Sequence, residues 1–126
     1  REDFISFDVA GGGDYTSILY YPNHSQMSLY ERNGGTGTLV NIDIRNGWHH
    51  IAYVRDGTHT RFYLDGVERH NAPSTSTELL GRSDFFIGGW RPSPGYHPHP
   101  THGYIDEFRV TRAVRYTADF DPNTNP

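Results

Sequence analysis

Gly47-Trp48-His49-His50-Ile51-Ala52-Tyr53-Val54-Arg55-Asp56-Gly57 and the stretch after it, Arg61-Phe62-Tyr63-Leu64-Asp65-Gly66-Val67, decide the fold. Side chains along an extended strand point alternately to opposite faces. Trp48, His50, Ala52 and Val54 then share one face, and His49, Ile51, Tyr53 and Arg55 the other. Apolar groups on both faces predict a strand in the interior of its sheet. In the second stretch Phe62 and Leu64 lie opposite Arg61, Tyr63 and Asp65, which predicts a neighbour with one face toward water. Asp56-Gly57 and Asp65-Gly66 accept the positive φ angles of tight hairpins, and Arg45-Asn46-Gly47 repeats the signal upstream. The three turns predict a meander from Thr38 to about His70 whose strands pair in chain order.

The rest of the chain keeps the same rhythm. No window of about 11 residues holds apolar positions at helical spacing without an interrupting Gly or Pro. Runs rich in Tyr, Phe, Ile, Val and Thr recur instead, which predicts strands near Phe4–Val9, Thr16–Tyr21, Met27–Arg32, Thr38–Ile44, Trp48–Arg55, Thr60–Leu64, Phe85–Gly89 and Tyr104–Thr111, with a short one around Val67–His70. In the Tyr104–Thr111 run, Asp106 shares a face with Tyr104, Phe108 and Val110, where an inward carboxylate would need hydrogen-bond partners. Gly11-Gly12-Gly13-Asp14 reads as a flexible turn. Arg91 to Gly103 carries four prolines, which forbid a central strand there.

Composition bounds the function. The 126 residues carry a net charge of 11 − 15 = −4, no cysteine, 14 Gly and 8 Pro. A length of this order fits one domain, read as residues 1–122 with a polar tail over 123–126. Hydrophobic content of 34% is low, and the 9 Tyr, 7 Phe and 2 Trp make up part of the deficit through their large buried areas. All basic residues are arginine and they form no cluster, so the footprint of a nucleic-acid-binding module is missing. Without cysteine there is no disulfide scaffold, thiolate zinc site or cysteine nucleophile. No apolar run approaches the length of a membrane span. The chain starts at Arg1 and is expected to be a processed product or an excerpt of a longer protein.

The Gly47–Gly57 and Arg61–Val67 stretches, with Gly88-Gly89 and Gly103-Tyr104-Ile105-Asp106-Glu107-Phe108-Arg109-Val110-Thr111, together resemble the signatures of laminin-G-like, concanavalin A-like lectin/glucanase domains. The ending Arg115-Tyr116-Thr117-Ala118-Asp119-Phe120 resembles versions found in bacteriophage tail, fibre and other virion proteins. The resemblance runs from about Asp14 to Pro122. It implies an all-β, antiparallel two-sheet jelly-roll sandwich that binds through rim loops or a concave sheet, located on a virion or extracellular surface. Family members begin with strands that nothing before Phe4 supplies, so either the domain is a shortened version or those strands lie upstream of Arg1. If they are absent, a partner chain must cover the exposed sheet edge.

Glucanases of this superfamily need two carboxylates on one strand face, an even number of residues apart. Asp106 and Glu107 are adjacent and cannot form that pair, so β-glucan hydrolysis ranks third among the readings and no enzyme is expected. A structural hydrogen bond is the expected role of Asp106, and a surface ion pair with arginine that of Glu107. His49 and His50 read as satisfied structural residues. His97, His99 and His102 form a His-x-His-x-x-His cluster of the kind that binds zinc or nickel, against which stands solvation of loop histidines. Some related domains bind calcium, for which Asp14, Asp43 and Asp84 are the nearest carboxylates, without the dense run that calcium's oxygen shell requires. No cofactor is expected.

Sugar binding requires an aromatic platform with amide, carboxylate or guanidinium groups beside it. Trp90, Arg91, Tyr96 and His97 supply those chemistries within one loop; Tyr21 and His24, in Tyr20-Tyr21-Pro22-Asn23-His24, form a second candidate. The expected function is a non-catalytic recognition module for a glycan or cell-surface ligand. The alternative is a structural domain contacting virion or scaffold subunits, or copies of itself.

Overall fold

The computed structural model describes residues 2–8, 15–31, 38–73, 84–89 and 99–124. Among them lie eight strands and no helix: β1 (Glu2–Asp8), β2 (Tyr15–Tyr21), β3 (Gln26–Glu31), β4 (Thr38–Asn41), β5 (Ile51–Arg55), β6 (His59–Leu64), β7 (Val67–Pro73) and β8 (Asp84–Ile87). They form two antiparallel sheets, of five strands in the order β4-β3-β2-β1-β8 and of three in the order β5-β6-β7. Contacts divide the chain into two compact units, one of Arg1–Arg45 with Ser76–Glu107 and one of Asn46–Thr75 with Phe108–Pro126.

The first unit carries the five-stranded sheet. Its central hairpin is fixed by Tyr21-Pro22-Asn23-His24, a turn with proline at its second position, closed by the His24 N–H donating to the Tyr21 carbonyl at 3.0 Å. The turn sets the register Tyr21↔Gln26, Tyr20↔Met27, Leu19↔Ser28 and Ile18↔Leu29. Ile18, Leu19, Tyr20, Met27 and Leu29 are all buried. Burial of consecutive residues means that both faces of β2 are covered. The β1–β2 register shifts between Asp3 and Ile5, and the Phe4 carbonyl accepts the Gly88 N–H just beyond β8.

The second unit is a meander with two turns of different construction. At the first, Asp56 Oδ1 accepts the N–H groups of Thr58 and His59, at 2.8 and 2.7 Å, and the Thr58 hydroxyl, while Oδ2 takes a guanidinium N–H of Arg61. At the second, Asp65 and Gly66 both have positive φ, 52° and 79°, as a two-residue hairpin turn requires. On one face of β6, Tyr63 packs with Val54, Ala52, Tyr116 and Phe120. The rings of Tyr116 and Phe120 stack 3.6 Å apart and Tyr63 meets both edge-on. Phe62 and Leu64 are buried on the other face.

Three expectations are corrected. β4 stops at Asn41 and pairs with β3, so Arg45-Asn46-Gly47 is no hairpin between paired strands and the meander runs from Ile51 to Pro73. Within it β6, not β5, is central; Tyr63, expected toward water, is 0% exposed because the aromatic pair from the C-terminal segment covers it. Residues 104–111 form no strand: Glu107 takes a φ of 53° and donates its N–H to Asp106 Oδ1, a local bond that competes with a ladder and leaves Tyr104 87% exposed. Beyond it, Asp119 Oδ1 accepts the Glu68 N–H and the Phe120 N–H donates to the Gly66 carbonyl, tying these two residues to the meander. The short strand expected around Val67–His70 forms and extends to Pro73.

Candidate functional site

Tyr21, Gln26 and Asn41 are directly opposed across β2, β3 and β4. Opposed residues of neighbouring strands share a face, so the three make a row at one end of the five-stranded sheet. Gln26 Nε2 donates to Asn41 Oδ1 at 2.8 Å, fixing both amides beside the phenol ring. The turn before β3 adds exposed Asn23 and His24.

This end of the sheet is held in place by Ser25. Its φ of 49° is left-handed, an unfavourable state for a residue with a side chain. Two bonds enforce it: the Ile42 N–H donates to the Ser25 carbonyl at 2.7 Å, and Arg45 Nη2 donates to Ser25 Oγ at 3.1 Å. Arg45 in turn grips Asp43, with Nε 2.8 Å from Oδ1 and Nη2 2.7 Å from Oδ2. The hydrogen bonds from the Arg45 side chain hold the Asp43 carboxyl far below the usual carboxylate range, and the carboxylate raises the guanidinium above its own.

Tyr21 and His24 are thus brought to one turn, Tyr21 half-buried and His24 exposed. Trp90, Arg91, Tyr96 and His97 lie outside the described residues. Of the histidine cluster, His97 is outside as well, His99 is half-buried, and His102 Nδ1 stands 3.4 Å from Glu2 Oε1. No group of three or more His, Asp or Glu among the described residues is arranged to hold a metal ion. Asp43, one of the three calcium candidates, has its oxygens occupied by Arg45 and Tyr20; Asp14 and the Asp84 side chain are outside the described set.

The second unit holds the paired histidines. His49 hydrogen-bonds at both ring nitrogens, Nδ1 with Asp65 Oδ2 and Nε2 with Asn46 Oδ1, each at 2.8 Å. Burial would raise the Asp65 carboxyl, but the bonds from His49 and from the His50 N–H outweigh it and hold the group below the ordinary value. The His50 ring meets Phe120 edge-on at 5.5 Å, its Nδ1 is buried with no hydrogen-bond partner among the described residues, and burial pushes its pKa down. His49 is satisfied as expected, whereas His50, expected to be satisfied too, packs on Phe120 with its Nδ1 unpartnered among the described residues.

The family described as the concanavalin A-like lectin/glucanase superfamily matches residues 2–119. The chain belongs to that superfamily. Its two antiparallel sheets, with no helix among the described residues, are consistent with the concanavalin A-like sandwich. No curated protein and no solved structure matches the chain. No helix among the described residues is long and apolar enough to cross a membrane.

Tyr21 and His24 are the sequence candidates that the described residues include, and the sequence reading did not place Gln26, Asn41, Asp43 or Arg45 beside them. The available signal was the Tyr21-Pro22-Asn23-His24 turn, which commits the flanking strands to pair and thereby sets Gln26 opposite Tyr21.

Proposed function

We propose that this lectin/glucanase-superfamily domain is a non-catalytic carbohydrate-recognition module that binds at the β2–β3 end of its five-stranded sheet. The Tyr21–Gln26–Asn41 row carries the reading: an aromatic ring to lie against the apolar face of a pyranose, with two mutually oriented amides for its hydroxyls. The strained Ser25, held by Ile42 and Arg45, supports it, because such strain gathers where a site is preorganised. In support of the non-catalytic part, Asp43, Asp56 and Asp65 are each committed to arginine or histidine partners, and Asp106 binds the neighbouring N–H. Display on a virion or extracellular surface belongs to the same proposal and rests on the resemblance of the Arg115–Phe120 ending.

A glycan array probed with the wild-type chain, Tyr21→Ala and Asn41→Ala tests the site. The expected result is a defined set of bound glycans lost in both variants while their thermal midpoints stay near wild type. Retention of the whole set by both variants would sink this location for the site.

A further inference from the structure

Two independent features meet at Asn46-Gly47, in the loop before β5. The first is room. Both residues are exposed, and nothing lies within 4 Å of the place a Gly47 Cβ would occupy. Bulk that would hinder approach of the Gly47 backbone nitrogen to the Asn46 side chain is therefore absent. The second feature is His49, whose Nε2 donates to Asn46 Oδ1 at 2.8 Å. The ring is fixed from its other side, where Nδ1 meets Asp65 Oδ2 at 2.8 Å, while Asp65 Oδ1 accepts the His50 N–H at 2.9 Å. One carboxylate thus grips both the imidazole and the backbone that follows it, and the His49 side chain is only 18% exposed. The Asn46 amide nitrogen has no hydrogen-bond partner among the described residues.

When a nucleophile adds to an amide carbon, the carbonyl oxygen becomes an oxyanion, and a donor already aimed at that oxygen stabilises the charge as it forms. We infer that Asn46 is a site of self-deamidation in the folded chain, with His49 as its catalytic residue and Asp65 as the positioning residue behind it. The Gly47 nitrogen gives up its proton and bonds to Asn46 Cγ, closing a succinimide ring. The Cγ–Nδ2 bond breaks, and the amide nitrogen takes up a proton and leaves as ammonia. Water then opens the ring at one of its two carbonyls, giving aspartate or isoaspartate. The balance is one water consumed and one ammonia released, with no oxidant or cofactor. The product carries one more negative charge, −4 − 1 = −5. In isoaspartate the main chain runs through Cγ and gains a methylene immediately before Gly47 and Trp48, the latter 70% exposed. The reaction is a one-way timer on the loop that presents this indole.

The chain supplies its own reference, since Asn33-Gly34 repeats the same two residue types and lies outside the described residues. Wild type, His49→Phe and His49→Gln are incubated at physiological pH and temperature. Both sites are followed by peptide mass mapping, with fragmentation that separates aspartate from isoaspartate. Expected is conversion at Asn46 in wild type, slowed about three- to tenfold in His49→Phe, short of the ~100-fold that one donor is worth in a closed site because this loop meets water. His49→Gln keeps an N–H donor and should recover part of the rate. Asn33 should convert alike in all three chains, and in urea the Asn46 rates should coincide. Thermal midpoints near wild type qualify the variants. If His49→Phe fails that check, Asp65→Asn, which loosens the ring while keeping an acceptor for the His50 N–H, takes its place with the same expected direction. Faster conversion at Asn46 in the variant would overturn the inference, since the bond would then restrain the amide. Equal rates in the folded chains, or conversion at Asn33 without conversion at Asn46 in wild type, would overturn it as well.

Discussion

The Phe120 N–H donates to the Gly66 carbonyl at 2.9 Å, and the Phe120 carbonyl in turn lies where a Gly66 side chain would begin. The β6–β7 turn and the C-terminal segment therefore fit together only because one residue has no Cβ. Gly66 also sits at a φ of 79°, so a side chain there meets both conformational strain and a backbone collision. Gly66→Ala is expected to cost about 3 kcal/mol, read as a lower urea midpoint at unchanged slope. A loss below about 0.5 kcal/mol, the size of an ordinary surface change, would refute the contact.

Phe120 stacks on Tyr116 and meets Tyr63 and His50 edge-on. It is half-buried, so truncation to alanine should fall at or below the low end of the range for core aromatics, about 2–3 kcal/mol. Tyr116→Ala uncovers the same face of Tyr63, so the double variant should lose less than the sum of the two singles. Strict additivity in chemical denaturation would mean that the two rings do not act as one cover.

Stability should fall on mild acidification. Burial holds the pKa of His50 and of His70 below 6.5, so the folded chain resists protons that the unfolded chain accepts. Stability from this source is complete above about pH 6.5 and declines as pH drops from there toward the lower folded values. Asp56 and Asp65, held below 3.8, act in a second window, losing their contribution as pH falls through and below that value. Urea midpoints between pH 8 and 5 should show the histidine slope, and His50→Gln should flatten it. An unchanged slope in that variant would remove His50 as its source.

Asp56 has two separable jobs. Oδ1 closes the turn on Thr58 and His59, while Oδ2 faces Arg61. Asp56→Asn keeps an acceptor for the turn and loses the charge, whereas Asp56→Ala loses both. The thermal midpoint should drop in the order wild type, Asn, Ala. Equal drops for the two variants would place the whole effect in the ion pair.

What was legible in the sequence was local. Asp65-Gly66 dictates a turn through backbone preference, so the β6–β7 hairpin could be read directly, while the like signal of Pro22-Asn23 for the β2–β3 hairpin went unread. What was not legible was the choice of distant partners. Thr38–Asn41 pairs with β3, although the nearer turn signal at Asn46-Gly47 pointed it toward β5. Tyr63 alternates with buried residues and so read as water-facing, because its cover comes from Tyr116 and Phe120. The same limit applies to the site: Tyr21 and His24 stand out by composition, but Asn41 joins them only through the register of a third strand.

The Glu68–Asp119 bond joins residues 51 positions apart and belongs to the same clasp as the Phe120–Gly66 bond. During synthesis on the ribosome, the three-strand meander therefore emerges well before the rings that shield it, leaving Tyr63 wet until Tyr116 and Phe120 have cleared the exit tunnel. Completion of this unit waits for residues 116–120 and is slowed by the long loop that must close.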